Sequence, residues 1–453
     1  GTTIGAMTDA TGHYFLKNLP EGDFILQVSA VGYKAQSRKV TLKRGKTLEE
    51  NFELEEDLIA LDGVVVTANR SETTRRMAPT LVNVMDFKLF ENTNSATLSQ
   101  GLNFQPGVRV ETNCQNCGFQ QVRINGLDGP YTQILIDSRP IFSALAGVYG
   151  LEQIPANMIE RVEVMRGGGS ALFGSSAIAG TINIITKEPL RNSGQLSHTI
   201  TGVGGTSSWD NSTTMNASLV TDNSKVGLYI FGQNRERSGY DSDGDGFTEL
   251  PKLKNQTVGF RSFLKTSAYS KLTFEYHHLQ EFRRGGDLLN RPPHEANIAE
   301  QLRHSINSGG LKFDYFSPDE KHRLSVYASA QHIGRDSYYG GNQDLNAYGA
   351  TKNFTWVAGS QYIYHFDRCL FMPSDLTGGV EYNQDNLKDD MWGYNRYTNQ
   401  KVRIAGAFFQ NEWRNRQWSI LLGGRLDKHN LINHVIFSPR ANIRFNPVEN
   451  VNL

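Results

Sequence analysis

Residues 190–453 alternate apolar and polar side chains with a period of two, and this pattern constrains the fold more than any other feature. Leu272, Phe274 and Tyr276, for example, alternate with the polar side chains of Thr273 and Glu275. A period of two places successive side chains on opposite faces of a β-strand. Strands of about ten residues with one apolar and one polar face fit the wall of a membrane β-barrel, since one face meets lipid and the other lines the lumen. A closed soluble sandwich would show the same alternation.

The alternation predicts about twelve strands in this region. They lie near residues 195–204, 211–222, 225–236, 256–267, 270–281, 306–316, 322–334, 353–366, 375–386, 402–414, 416–427 and 434–446. Short polar turns at 222–224 and 317–319 join some strands, whereas longer polar stretches are expected to form loops. These stretches are residues 237–254, 282–304, 335–352 and 387–401.

The composition agrees with strands and excludes membrane helices. Hydrophobic residues make up 38% of the chain and the mean hydropathy is −0.45. No run approaches the roughly 18 apolar residues that a membrane helix needs. Lys and Arg number 46, as do Asp and Glu, so a general electrostatic attraction to nucleic acid is not expected.

Residues 1–56 show several short strand patterns separated by turn signals, which is typical of a small β-sandwich. Strands are expected at 13–16, 24–29, 39–42 and 51–54. The order Thr-Asp-x-x-Gly-x-Tyr-x-Leu from Thr8, followed by Leu-Pro-x-Gly-x-Phe-x-Leu from Leu19, is similar to the carboxypeptidase-regulatory-like domain. This resemblance implies a transthyretin-like sandwich without catalytic residues; an unrelated immunoglobulin-like sandwich is the alternative.

Both ends of the chain have strand-like sequence, at residues 1–4 and 451–453. The first strand of the carboxypeptidase-regulatory-like pattern also has no counterpart here. The sequence is therefore interpreted as a fragment of a longer precursor.

Residues 57–78 form a linker that contains one isolated β-prone run. This run, named the coupling segment below, consists of Asp62, Gly63, Val64, Val65, Val66, Thr67 and Ala68. So short a run between polar flanks cannot bury itself locally, but it can add as a strand to the sheet edge of a partner. An ordinary edge strand is the alternative. Its place between two domains resembles the energy-coupling box of TonB-dependent outer-membrane receptors.

Residues 79–189 combine a short helix, several strands and a glycine-rich turn, which is an α+β pattern. Gly167, Gly168 and Gly169 permit positive φ values. No Gly-Lys-Ser/Thr accompanies them and a strand is expected next, so a phosphate-binding loop is not predicted. In order and spacing, the segments 98–110, 121–141 and 154–187 resemble the plug domain of TonB-dependent receptors.

Together, these resemblances imply a mainly β protein. It would contain a small, incomplete transthyretin-like β-sandwich (1–56), the linker (57–78), an α+β plug domain (79–189) and the N-terminal portion of a 22-stranded transmembrane β-barrel (190–453). They also imply the outer membrane of a Gram-negative bacterium, contact with its lipids, and TonB with ExbB and ExbD as partners. The short turns would be periplasmic and the long loops extracellular.

The function implied is uptake of a small metal chelate rather than catalysis. Ile-Leu-Ile-Asp-Ser at 134–138 looks like the vitamin- and siderophore-type receptors, since glycan importers usually carry a Tyr-Val-Ile-Asp-Gly-type strand there. The ligand would be a ferric siderophore, haem or cobalamin. A SusC-like glycan or peptide importer with a surface lipoprotein partner is one alternative, and a non-transporting surface adhesin or sensor is another.

Five charged plug residues are candidates for holding the plug in the barrel. Charges in such a partly desolvated place need partners or cost several kcal/mol. Ion pairs between plug and barrel could hold the plug until signalling, whereas pairs within the plug are the alternative. The five residues are Arg123, Glu160, Arg161, Glu163 and Arg166.

Two of the expected loops carry candidate ligands for ions or chelates. Asp241, Asp243, Asp245 and Gly246 occupy positions 1, 3, 5 and 6 of a calcium-loop pattern, and Glu249 could replace the Glu missing at position 12. A solvated acidic loop is the alternative to calcium. Arg283, Arg284 and His294 could contact an anionic or metal-chelate ligand.

Cys114 and Cys117 form a CxxC pair. No second CxxC or nearby His pair supports a zinc site. In the oxidising cell envelope that the resemblance implies, a disulfide between the two is the expected outcome.

Overall fold

The computed structural model describes most of the plug and barrel regions and parts of the N-terminal region. The described residues are 4–6, 8, 12–17, 19–29, 36–54, 64–68, 70, 73–114, 118–140, 151, 153–174, 176–205 and 208–447. Among these residues, no helix combines the length and the apolar composition that crossing a membrane requires.

The N-terminal region contains one antiparallel hairpin, formed by β1 (Gly22–Val28) and β2 (Gln36–Leu42). The strands expected at 13–16 and 51–54 are wrong, because neither stretch is in a strand. These flanking stretches meet through side chains instead of a backbone ladder. The Tyr14 hydroxyl donates to the Glu50 carbonyl over 2.6 Å, and Arg38 on β2 pairs with the Glu50 carboxylate at 2.7 Å.

The plug is built around a four-stranded sheet. In order across the sheet, its strands are β5 (Val82–Asp86), β9 (Ile159–Arg166), β10 (Gly180–Thr186) and β8 (Thr132–Ile136). β8 and β10 are parallel and the other neighbours are antiparallel. In the described part of the plug, a hairpin of β6 (Val108–Cys114) and β7 (Phe119–Ile124) and several short helices flank this sheet. The elements are β3 Val64–Val65, β4 Thr73–Thr74, β5 Val82–Asp86, α1 Phe87–Asn92, α2 Leu98–Leu102, β6 Val108–Cys114, β7 Phe119–Ile124, β8 Thr132–Ile136, β9 Ile159–Arg166, α3 Ser170–Phe173 and β10 Gly180–Thr186, with 3-10 turns at Arg75–Met77, Gly129–Tyr131 and Ala156–Met158.

The three consecutive glycines between β9 and α3 are used as the sequence predicts. Gly167 and Gly168 have φ values of 62° and 61°, which other residues rarely adopt. Gly169 has an ordinary φ, but a Cβ there would lie 2.6 Å from the Thr181 hydroxyl. The strand expected directly after them is wrong: the one-turn helix α3 follows, and β10 begins only at Gly180.

Residues 193–445 form one antiparallel sheet of twelve strands, each paired with the next along the chain, so the predicted number is confirmed. β11 and β22 are the outermost strands. The strands are β11 Ser193–Val203, β12 Ser208–Val220, β13 Val226–Arg237, β14 Lys252–Ser267, β15 Ser270–Gly286, β16 Ile298–Phe316, β17 His322–Gly341, β18 Tyr348–Cys369, β19 Met372–Met391, β20 Arg396–Arg414, β21 Trp418–His429 and β22 Ile436–Phe445, with 3-10 turns at Pro293–Glu295 and Trp392–Tyr394.

The two ends of this sheet differ, and we name them the turn end and the loop end. Short connections such as 221–225 and 317–321 lie at the turn end. Longer ones such as 238–251 and 287–297 lie at the loop end. The predicted loops were too long, since residues 282–286 and 298–304 continue the ladder between β15 and β16. Within this extension, the charged side chain of Arg283 contacts the plug.

The two faces of the sheet have inverted polarity compared with a soluble protein. Phe274, Val326 and Leu422 are exposed on the outer face, while Arg235 and Glu281 are buried on the inner face. The plug core continues onto the inner face through aromatic residues such as Tyr229 and Phe231. Burying charge while exposing large apolar groups is unfavourable in water but favourable in lipid. The arrangement therefore favours a membrane wall over the soluble sandwich.

Candidate functional site

The described part of the coupling segment, residues 64–68, lies buried between the plug and the sheet. Val64 and Val65 form β3 and pair with Thr74 and Thr73. Val65, Thr67 and Ala68 are fully buried. Asp62 and Gly63 lie outside the described residues.

Glu163 on β9 holds the segment from the plug side. Its Oε2 accepts hydrogen bonds from the backbone N–H groups of Val66 and Thr67, both at 2.9 Å, and from the Thr67 hydroxyl at 2.6 Å. Arg161 donates to the other oxygen, Oε1, at 2.9 Å, and Asn183 donates to the Thr67 hydroxyl at 3.1 Å. Because Glu163 is fully buried, these donors replace the water that its charge would otherwise need.

The sheet holds the same stretch of chain from the other side. Arg440 on β22 donates to the Ala68 carbonyl at 2.7 Å, and Gln361 on β18 donates to the Arg70 carbonyl at 2.9 Å. The Arg70 guanidinium lies 3.4 Å from Glu381 on β19 and stacks between two aromatic rings. One short segment is thus attached both to the plug and to the wall around it.

Four of the five predicted plug-holding charges find partners within the plug, which corresponds to the alternative considered from the sequence. Arg123 pairs with Glu111 and Asp128 in the β6–β7 region. Arg161 pairs with Glu163, and Arg166 donates to the Pro106 carbonyl. Glu160 is exposed at the start of β9.

A different set of charges, which the sequence did not single out, joins plug and wall. Asp137 and Arg139 follow β8, and they meet Arg261 on β14 and Glu275 on β15. Arg261 also lies 3.3 Å from Glu275. Burial alone would raise the pKa of Asp137, but Arg261, Arg139 and two hydrogen bonds from Thr186 lower it to about 2. The carboxylate therefore stays ionised at neutral pH. A charge directly after the buried apolar strand Ile134–Ile136 was the available signal.

A second plug–wall contact lies nearer the loop end and involves a residue predicted to contact ligand. Arg283 lies in β15, not in a loop, and is almost fully buried. It pairs with Glu281 at 2.7 Å and donates to the Gly118 carbonyl of the plug at 3.2 Å. Gln153 of the plug donates to Glu281 at 3.0 Å. In this state Arg283 bridges wall and plug rather than facing a ligand.

The other two predicted ligand contacts lie in different elements, one in a strand and one in a loop. Arg284 is also buried in β15 and donates to the Asp287 carbonyl at 2.9 Å. His294 lies in the 287–297 loop, half-buried, and its Nδ1 is 2.7 Å from the Tyr348 hydroxyl. Their roles toward ligand stay predictions.

The acidic loop at 241–249 brings its four predicted carboxylates together. Ligand oxygens of Asp241, Asp243, Asp245 and Glu249 all lie within 4.8 Å of one another, the only such group of three or more His, Cys, Asp or Glu side chains among the described residues. Backbone N–H groups of Gly246 and Gly244 donate to Asp241 and lower its pKa. The convergence fits the donor set that Ca²⁺ prefers.

An open cavity of about 210 Å³ lies between the plug and the inner face of β18–β22. Phe173 and Gly174 line it on the plug side, and Glu381, Asp385 and Arg425 line it on the wall side. Arg425 also donates to the Leu172 carbonyl of α3 at 3.2 Å.

The disulfide prediction cannot be placed, because Cys117 and the side chain of Cys114 lie outside the described residues. Replacing both with Ser is expected to loosen the β6–β7 loop without unfolding the barrel. Mass spectrometry of the protein isolated from the envelope without reductant checks the premise, and finding both thiols free would contradict the disulfide. Thermal unfolding of the double mutant should match that of the parent.

Three family models match the chain and together cover nearly all of it. A CarboxypepD_reg-like domain matches residues 1–66, a TonB-dependent Receptor Plug Domain matches residues 74–181, and the TonB dependent receptor-like β-barrel matches residues 189–453. The last of these covers more than half of the chain.

Known proteins similar to this chain include curated relatives and solved structures. The Vitamin B12 transporter BtuB of Vibrio vulnificus (strain CMCP6) is 38% identical over 125 residues, which are 28% of this chain and 20% of that protein. The siderophore receptor PirA of Acinetobacter baumannii has a TM-score of 0.70 at 18% identity, covering 83% of this chain and 60% of that chain. A mutant ferric enterobactin receptor PfeA of Pseudomonas aeruginosa has a TM-score of 0.71 at 17% identity, over 83% and 61% of the two chains.

Proposed function

Because the chain belongs to the TonB-dependent receptors, a family of the bacterial outer membrane, we propose that it imports a small metal chelate by an energy-coupled mechanism. Members of the family are transporters rather than enzymes. The match covers about a fifth of the curated relative and about 60% of the solved receptor, so activity, substrate and partners are inferred for the whole protein. We likewise infer that this protein has no enzymatic activity.

The observation that carries this proposal is the double attachment of the coupling segment. Glu163 ties it to the plug and Arg440 ties it to the wall, so one pull on the segment acts on both parts. TonB, driven by ExbB and ExbD, is the proposed source of that pull. A strand presented to a partner's sheet edge supplies main-chain hydrogen bonds for the grip.

The proposed ligand is cobalamin or a ferric siderophore. Two comparisons support these two classes of ligand: the vitamin B12 transporter BtuB among the relatives, and siderophore receptors among the structural neighbours. Haem stays a prediction from the sequence, and so does a surface lipoprotein partner. Ligand arriving at the loop end would meet the plug near Gly118 and Gln153, where Arg283 and Glu281 tie wall to plug.

The test is an uptake assay with the complete native protein in cells that lack their own receptors for the ligands offered. Labelled cobalamin and a panel of ferric siderophores are supplied with and without a proton gradient across the inner membrane. We expect one chelate to accumulate only when the gradient is present, while surface binding persists without it. Binding without accumulation would support the adhesin or sensor, and accumulation of a glycan or peptide would support the SusC-like importer.

We also propose that the 241–249 loop binds Ca²⁺ and thereby presents an ordered surface to ligand. Ordering the loop beforehand removes an entropy cost from ligand binding. The double substitution Asp243→Asn and Asp245→Asn should weaken ligand binding in calcium to the level seen in chelator. Affinity is compared for parent and variant in both conditions. If chelator leaves the parent's affinity unchanged, the loop is a solvated acidic tip.

A further inference from the structure

Five basic side chains form a continuous row on the outer face of the sheet, near its loop end. They are Lys352 on β18, Lys388 on β19, Lys401 and Arg403 on β20, and Lys428 on β21, and all five are exposed. We name them the outer basic row. Each is an even number of residues from an exposed apolar side chain on its own strand, such as Phe354 or Leu426, and so shares the outer face.

The strand register places these charges side by side. Lys352 is directly opposite Lys388. Lys388 is opposite Asn399, so Lys401 is its diagonal neighbour, and Lys428 is opposite Ala405, diagonal to Arg403. Directly opposed side chains have Cβ atoms about 5 Å apart and diagonal ones about 7–8 Å. Like charges this close destabilise a sheet unless something neutralises them.

The protein supplies little of that neutralisation. Lys388 lies 3.3 Å from Asp390, and Lys428 donates to the carbonyls of Ile432 and Asn433 at 2.9 Å. Asp336 on β17 is diagonal to Lys352. Within the described residues, no carboxylate lies in ion-pair distance of the side chains of Lys352, Lys401 or Arg403. The row is therefore mostly uncompensated positive charge.

The row also has a defined level relative to the apolar outer face. Trp356 on β18 and Tyr382 on β19 point outward just toward the turn end, with ring centroids 5.1 Å apart. Trp and Tyr pairs of this kind mark the boundary between the hydrocarbon region and the headgroups. On β18, Lys352 is the second outward position from Trp356 toward the loop end, and on β19 Lys388 is the third from Tyr382. The row therefore lies beyond the aromatic pair, on the headgroup side.

We propose that the outer basic row binds the phosphate groups of lipid headgroups in the leaflet at the loop end. The proposal rests on the membrane location of the family and is independent of the ligand transported. Four adjacent strands span about 14 Å at the usual strand spacing, enough for two neighbouring phosphates. Lysine binds phosphate as a point charge, and each phosphate between two lysines removes their repulsion. The apolar surface directly below the row would hold the acyl chains of the same lipids.

The experiment compares two double variants of the complete native protein that remove equal charge from the outer face. Lys352→Gln with Lys388→Gln breaks the row. Lys254→Gln with Arg303→Gln is the matched control, since Lys254 pairs with Glu236 at 2.9 Å and Arg303 stacks on Phe282. Retention of short-chain phosphatidic acid by detergent-solubilised receptor is titrated by native mass spectrometry. Short-chain phosphatidylcholine and inorganic phosphate serve as the other probes.

We expect the first variant to bind phosphatidic acid about tenfold more weakly than the parent, and the control to stay within about twofold. Added salt should weaken binding to the parent and reduce the difference. Equal loss in both variants would overturn the proposal, because charge anywhere on the outer face would then suffice. Inorganic phosphate displacing the lipid at equal concentration would also overturn it, in favour of a free-anion site. All substituted side chains are exposed, and unchanged melting temperatures verify folding.

Discussion

Deleting Asp62–Ala68 is expected to abolish uptake while leaving ligand binding at the cell surface intact. Its described part, residues 64–68, lies between plug and sheet rather than at the loop end, so the deletion removes the attachment for the motor but no ligand contact. The plug also loses the buried side chains of Val65 and Ala68, but most of its core lies elsewhere. We therefore expect no energy-dependent accumulation of ligand in the deletion variant.

Labelled ligand is measured on whole cells, as bound counts in de-energised cells and as accumulated counts in energised cells. A deletion of residues 54–60, just upstream, is the matched control, because it removes the same number of residues from the chain but keeps the coupling segment. That control should transport normally. Accumulation that survives loss of Asp62–Ala68 would show that energy enters the plug by another route.

Glu163→Ala is expected to release the coupling segment without ligand. The substitution leaves the N–H groups of Val66 and Thr67 and the Arg161 guanidinium without their shared partner. Unsatisfied buried groups cost about 1–3 kcal/mol each. A loss of about 3 kcal/mol would raise the released fraction by roughly a hundredfold. The segment should then be released to the same extent with and without bound ligand.

Hydrogen–deuterium exchange of residues 64–68 is the direct readout, since the Val66 and Thr67 amides are the groups that Glu163 binds. Exchange of these amides should accelerate strongly in Glu163→Ala and less in Glu163→Gln, which keeps one neutral acceptor oxygen for them. Glu160→Gln is the control, because Glu160 is an exposed carboxylate on the same strand. If these amides stay equally protected from exchange in Glu163→Ala, then Arg440 and Gln361 rather than Glu163 retain the segment.

The parts predictable from the sequence are those in which neighbouring residues determine the structure. Side-chain alternation is local, so twelve strands were counted correctly before their partners were known. The strand ends were not predictable, because Arg283 and Arg284 resemble solvent-exposed loop residues until the plug beside them is known. Ladder pairing between Gly286 and Ala299 also depends on the opposite strand, not on local composition.

The candidate site was predictable in its segments but not in its contacts. The β-prone run at Val64–Ala68 was recognisable, but its partner Glu163 lies almost a hundred residues away. Glu163 was singled out for its charge, yet it binds backbone N–H groups rather than the wall. The wall contact instead uses Asp137 and Arg261, which are 124 positions apart. Contacts of this kind are set by how the plug packs into the sheet.

The three hydrogen bonds that join the coupling segment to Glu163 share one acceptor atom, and this has a mechanical consequence. The N–H groups of Val66 and Thr67 and the Thr67 hydroxyl all donate to Oε2. A small displacement of that oxygen therefore breaks the three bonds together rather than one after another. A tension applied from the N-terminal side would meet the β3–β4 pairing at Val64 and Val65 first and then this anchor. It would next reach Arg440 at Ala68, and finally Gln361 and Glu381 at Arg70. The contacts of the segment would break in discrete steps, each at its own threshold force. Those to the wall would break only after those to the plug.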